Sequence, residues 1–331
     1  MQIIQLKSTC CSAKIHPFGD KRRQCKECKR TWRIRPAKRG PKPRQSKRRS
    51  QRLTLERYRT NCVGSLAAFA KQRGGLARTL QKQMVQARDD ALWRMPPLVR
   101  LTVPHILLGD ALTQEVEGKE YTTYLLLARP LNATHAVVCQ VRTVLGHESG
   151  VDWETAIAAL PSAMSAQTKA LVCDGHPGLT SLARRHGWVL QRCRFHVIQS
   201  LNKYLRLWRR ARPETHRIHE LVHTVVESAN DEKISRALVL LEQYSRQTTS
   251  KELASILRGL NQHFRDYRSY IYYPELHLPA TNNACECSFR KTRALQDKAR
   301  GWRTATSHAR WVQYALTSAP PICCKEGETK W

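Results

Sequence analysis

Acidic residues are scarce in this chain. Its 331 residues carry 26 Asp and Glu against 57 Lys and Arg, a formal net charge of +31. So much self-repulsion is tolerated most easily when a polyanion neutralises it, so DNA or RNA is the expected partner. Long apolar runs are also lacking. None approaches the roughly 20 residues needed to cross a bilayer, and there is no lipidation signal, which sets aside the rival partner of a basic chain, a membrane. The opening MQIIQLKSTC has no long apolar stretch followed by a cleavage site, and no secretory peptide is expected. A regular disulfide framework is missing too. Of twelve cysteines, Cys10, Cys11, Cys25 and Cys28 fall in the first thirty residues and the rest are scattered, which fits a reduced compartment with one local metal site.

What is present divides by charge. With 41% hydrophobic residues the chain can bury a sizeable core, and its length suggests two or three domains. Residues 1–60 hold 20 Lys and Arg and only three acidic residues, so the nucleic-acid-facing end is the N-terminus. Within it, RPAKRGPKPRQSKRRSQR (35–52) reads as a basic linker arm. Its Arg39, Lys42, Arg44, Lys47, Arg48 and Arg49 can follow a phosphate backbone or minor groove.

Two candidate DNA-binding pieces flank the arm. In residues 1–34 the CKEC knuckle places Cys25 and Cys28 where two thiolates can grip one tetrahedral Zn²⁺. Cys10 and Cys11 could supply the other half of a structural zinc ribbon, or His16 could complete the site with Cys11; adjacent thiolates on one ion are irregular. In residues 53–96, Leu66, Phe69 and Ala70 mark one apolar face and RGG supplies a turn. Leu76, Leu80, Met84 and Ala87 then mark a second face at helical spacing. That is a helix-turn-helix pattern, whose second helix would present Arg78, Gln81, Lys82 and Gln86 to a major groove.

From residue 100 the texture becomes β-type. RLTVPHILLGDAL, YTTYLLLARPLN and HAVVCQVRTVL (135–145), then DWETAIAALPSAM and KALVCDGHPGL, give the order β-β-β-α-β. Two apolar strands deliver an Asp near their ends, Asp110 and Asp174. An Asp there is often a turn former or helix cap, but the first strand and the strand after the helix can be neighbours, and then both carboxylates reach one pocket.

The succession LLGD, VCDGHPGL, QRCRFH and TNNACECSFRKTRALQDKARGWRT resembles the bacterial insertion-sequence DNA transposases related to the Mutator-like elements. The resemblance covers roughly residues 100–315. It implies an α/β, RNase H-like mixed sheet interrupted by an all-helical insertion and preceded by the zinc-ribbon and helix-turn-helix region. The expected parts are a first core segment (97–197), the insertion (198–278), a last core helix (279–318) and a tail (319–331). The resemblance puts Asp110, Asp174 and Glu286 on the catalytic Asp-Asp-Glu triad, which would hold two Mg²⁺ ions, or Mn²⁺, for attack on a phosphodiester. Cys193 and His196 fall on the family's Cys-x-x-His. It further implies double-stranded DNA, as element ends and target, for a cytoplasmic, nucleoid-associated homodimer or higher oligomer. Asp110 is followed by Ala-Leu, a departure from relatives, and Asp152 competes for its place, though it reads as a helix cap.

Some assignments stay open on sequence. Arg290, Arg293, Arg300 and Arg303 can face substrate phosphates or solvent. His196 can orient the site or simply pack. HELVH (219–223) matches a zinc-protease pattern, with a polar helix as the plainer reading. A non-catalytic DNA-binding protein and a related RNase H-like nuclease are the alternatives to a transposase.

Overall fold

The computed structural model describes residues 15–17, 22–29, 31–33, 55, 66–72, 76–94, 101–208, 214–299 and 304–324. The chain forms two compact units, Met1–Thr54 and Leu55–Trp331.

The first unit contains an antiparallel meander of β1 (Ile15–Pro17), β2 (Arg22–Cys25) and β3 (Thr31–Arg33). The CKEC knuckle makes the turn after β2, closed by Lys29 N–H donating to the Cys25 carbonyl at 3.2 Å, with Cys25 buried and Cys28 exposed. Cys10, Cys11 and the arm cations Arg39, Lys42, Arg44, Lys47, Arg48 and Arg49 lie outside the described residues.

The second unit begins with α1 (Leu66–Gln72) and α2 (Ala77–Trp93). Its sheet is built from β4 (His105–Val116), β5 (Lys119–Pro130), β6 (His135–Leu145), β7 (Thr168–Cys173), β8 (Val189–Arg192) and β9 (Ile322–Cys323), in the order β8-β7-β4-β5-β6-β9. The β4–β5 hairpin turns on Glu117 and Gly118, at φ 55° and 69°, the two left-handed residues that a tight hairpin demands. β7 runs parallel to both β4 and β8, while β5 is antiparallel to both of its neighbours.

Helices α3 (Gly150–Ala158), α4 (Ser162–Gln167) and α5 (Pro177–Arg185) serve one face of the sheet; α11 (Asn283–Ala299) and α12 (Ala305–Thr317) serve the other. Along β5, Tyr124, Leu126 and Ala128 join the first core while Leu125 and Leu127 join the second. That is why β5 reads as an unbroken apolar run: a central strand covered on both sides has no polar face.

Among the described residues between β8 and α11 all elements are helical: α6 (Arg194–Trp208), α7 (Glu214–Glu227), α8 (Asp231–Gln247), α9 (Lys251–His263), α10 (Ser269–Tyr272) and a 3₁₀ turn, with a core of their own around Leu201, Val222, Leu241 and Leu257. Asn230 and Ser250 cap α8 and α9 through their side chains, the expected helix-start chemistry. A mixed α/β unit with a helical interruption is thus the observed architecture.

Two expectations need correction. The helix pair is not set apart at residue 96. Leu55, Phe69, Leu80 and Met84 enter the core that holds Ile106, Phe289 and Trp311. The Arg88 guanidinium lies 5.0 Å over the Trp311 ring and pairs with Asp89 at 2.7 Å, and Asp89 also meets Arg310 at 3.0 Å. The boundary falls near residue 54 because contacts define a unit. Leu76, read as the start of the apolar face of α2, is its N-cap and 76% exposed.

Candidate active site

Asp110 sits in β4 just where its pairing with β7 has ended, the last register pair being Leu108 with Val172. The sheet opens there, and Asp174 follows directly on β7 at the same end. Asp110 is 6% exposed; its Oδ1 accepts the Ala111 N–H at 2.9 Å and its Oδ2 has no partner. A buried carboxylate oxygen without a donor is costly, and Asp110 responds: burial first, then the charges of Glu286 and Asp174, push its pKa well above the ordinary value against the opposing pull of His196.

Glu286 comes in on the first turn of α11. The start of that helix is tied to β4 by Asn282, fully buried, whose Nδ2 donates to the Gly109 carbonyl at 2.8 Å and whose own carbonyl accepts the N–H groups of Cys285 and Glu286. Cys193 secures the other side: its N–H donates to the Cys173 carbonyl at 2.6 Å and its thiol accepts the Asn282 N–H at 3.1 Å. Cys193 therefore packs, and His196, one helical turn on, reaches the site.

His196 Nε2 lies 3.3 Å from Glu286 Oε1. Burial disfavours the imidazolium, but the Cys193 and Glu286 side chains outweigh it and hold the His196 pKa up to about 11. The same contact is the main influence drawing Glu286 below its usual value, with burial opposing. Ligand atoms of Asp110, His196 and Glu286 all lie within 4.8 Å of one another, the one such group among the described residues.

The candidate residues therefore fare differently. Asp110, Glu286 and His196 converge. Asp174 is near enough for its charge to act on Asp110 but lies outside the tight group; its Oδ1 accepts the His176 N–H at 2.8 Å. Asp152 is engaged at the start of α3, by Ser149 at 2.7 Å and Arg142 at 3.4 Å. Arg78, Gln81, Lys82 and Gln86 are exposed on α2, and Arg290 and Arg293 on α11; Arg300 and Arg303 lie outside the described residues. In HELVH, Glu220 pairs with His216 and Arg217 and His223 with Glu227, so its polar side chains form an ion-paired helix face while Leu221 and Val222 enter the helical core.

Sequence reasoning missed two residues. Asn282 stands just before the helical run, where sequence marks a helix start, but its side chain donates to Gly109 while its own Oδ1 has no partner. Glu148, in the loop before α3, had no local signal. Its Oε1 accepts the Trp153 indole N–H at 2.7 Å and lies 3.9 Å from His176 Nδ1.

No protein-family profile matches the chain, and no curated protein does. Among solved structures the chain is similar to a chain of the simian T-cell lymphotropic virus intasome in complex with the PP2A regulatory subunit B56 gamma. The match has 15% identity over 54% of this chain and 69% of that one, with a TM-score of 0.18. A likeness that distant carries no argument.

Proposed function

We propose that the chain is a DNA transposase of the Mutator-like kind, which binds the terminal inverted repeats of its insertion sequence and cuts and rejoins strands at Asp110, Asp174 and Glu286. The observation that carries this reading is the bare, buried Oδ2 of Asp110 within 4.8 Å of ligand atoms of His196 and Glu286. The strand order β8-β7-β4-β5-β6, with helices interrupting it before Glu286, supports an RNase H-like core.

The donor set suits Mg²⁺ or Mn²⁺. Carboxylate oxygens are the hard ligands such ions take, with one imidazole tolerated. Bound there, divalent ions would activate the attacking oxygen and neutralise the leaving one. Asp110, Asp174 and Glu286 hold the ligand oxygens in place. Without a cation, the protonated His196 supplies the positive charge that the carboxylates call for and keeps Glu286 oriented. Arg290 and Arg293, exposed one and two turns beyond Glu286, are positioned to meet phosphates.

At the N-terminus, Cys25 and Cys28 on one hairpin turn support a structural Zn²⁺ site completed from Cys10 and Cys11. The basic arm and the exposed face of α2 would hold duplex DNA. Assembly on two DNA ends as a homodimer or larger, in a cytoplasmic nucleoid, belongs to the same reading. No helix among the described residues is long and apolar enough to cross a membrane.

The test is to incubate the purified full-length protein and Mg²⁺ with DNA from the flanks of its own gene. Strand cleavage at the element ends that EDTA abolishes is expected. Salt-sensitive end binding without cleavage would replace the proposal with a non-catalytic DNA-binding protein, and cleavage of branched DNA alone with a nuclease.

A further inference from the structure

Glu148 is held in place from two directions. Trp153, fully buried, donates its indole N–H to Oε1. The second constraint is backbone: a Cβ on Gly178 would stand 2.5 Å from the Cα of Gly150, so the starts of α3 and α5 can touch only because residue 178 is glycine. That contact presses the Glu148 loop against the loop that carries Asp174 and His176.

The result is a gathering of like charges. Burial, and the facing charge of Asp174, push the Glu148 pKa upward, while the Trp153 hydrogen bond, His176 and His196 oppose them. The Trp153 and His176 contacts of Glu148 are both made through Oε1, which leaves Oε2 able to take a ligand. Asp174 likewise engages Oδ1 with the His176 N–H and keeps Oδ2. The charge of Asp174 also reaches Asp110, whose Oδ2, on a side chain more than nine-tenths buried, has no partner.

We propose that Glu148 is a fourth carboxylate of this site, binding a second divalent cation together with Asp174, next to the one that Asp110, His196 and Glu286 would hold. The inference rests on the metal-dependent reading above. It accounts for the place of Asp174 outside the tight three-residue group: Asp174 belongs with Glu148 to the second half of a two-cation clamp, which one or two protein carboxylates suffice to build.

Glu148→Gln tests it, because the amide oxygen still accepts from Trp153 while the charge is gone. Full-length protein is titrated with Mn²⁺, bound ions being counted from the loss of the free-ion electron paramagnetic resonance signal. Wild type should bind two ions. Glu148→Gln and Asp174→Asn should each weaken the second by about tenfold or more and leave the first intact, with Tm in EDTA unchanged or raised. Should Glu148→Gln fail to fold, Glu148→Asp carries the same test, since its charge is drawn back by one methylene and should likewise weaken the second ion. Wild-type affinity and count in the folded Glu148 variant, beside a weakened Asp174→Asn, overturns the role of Glu148 alone. Absence of Mn²⁺ binding by wild type overturns both this inference and the reading it rests on.

Discussion

The side-chain amide of Asn282 donates to the carbonyl oxygen of Gly109 at 2.8 Å, joining the residue that starts α11 to the residue before Asp110. Two carboxylates that arrive on separate elements are thereby held in one register. Asn282→Asp keeps the size and removes the donor, so both the bridge and the buried Gly109 carbonyl lose their partner. We expect a loss of about 1–3 kcal/mol in stability, read by denaturant unfolding, and a Mn²⁺ affinity reduced beyond what the stability loss explains. Unchanged Mn²⁺ affinity would show that the Asn282 bridge does not position the site.

Glu286→Gln, Asp110→Asn and Asp174→Asn should each lower Mg²⁺-dependent strand cleavage by at least about a hundredfold while end binding stays near wild type, and double variants should add little, because the three act as one unit. Glu275 supplies the control. It is exposed on the 3₁₀ turn just before the motif, and Glu275→Gln should be nearly silent. Equal losses at Glu275 and Glu286 in a single-turnover cleavage assay would displace Glu286 from the site.

A pH effect is expected away from the site, at His105. Its ring is fully buried, with Nδ1 2.8 Å from the Val103 carbonyl and Nε2 3.0 Å from Thr168 Oγ1. Burial is the main cause lowering its pKa, with the Val103 carbonyl opposing and Lys169 adding to it. A histidine whose folded pKa lies below its unfolded value takes up its proton on unfolding, so stability is lost as pH falls from the unfolded value of about 6.5 toward the lower folded one. Thermal unfolding between pH 8 and pH 5 should show that decline, and His105→Gln should flatten it.

The shared core of the helix pair and the sheet predicts an asymmetry between truncations. Removing residues 1–54 should leave one cooperative unfolding transition. Removing residues 1–95 strips α1 and α2 from Trp311 and takes away the Asp89 partner of Arg310, and should give a broadened transition with exposed apolar surface, read by calorimetry and dye binding. Equal cooperativity in both would make the pair an appendage.

Much of this protein was legible in its residues. The apolar runs of β4 to β7, the helical spacing after β8, the position of Asp174 at the end of β7 and the basic N-terminus all follow from local pattern, because side-chain period and composition report what one element buries; Asp110, expected near a strand end, lies midway along β4. What the pattern could not report is which elements meet. Asn282 and Gly109 are 173 positions apart, and His196, rather than Asp174, completes the tight group with Asp110 and Glu286. Glu148 comes beside His176 where the starts of α3 and α5 touch at glycines 150 and 178, and α2 joins the core through Leu80, Met84 and the Arg88–Trp311 contact. Those relations depend on register and close packing between distant segments, and they exist only once the chain has folded.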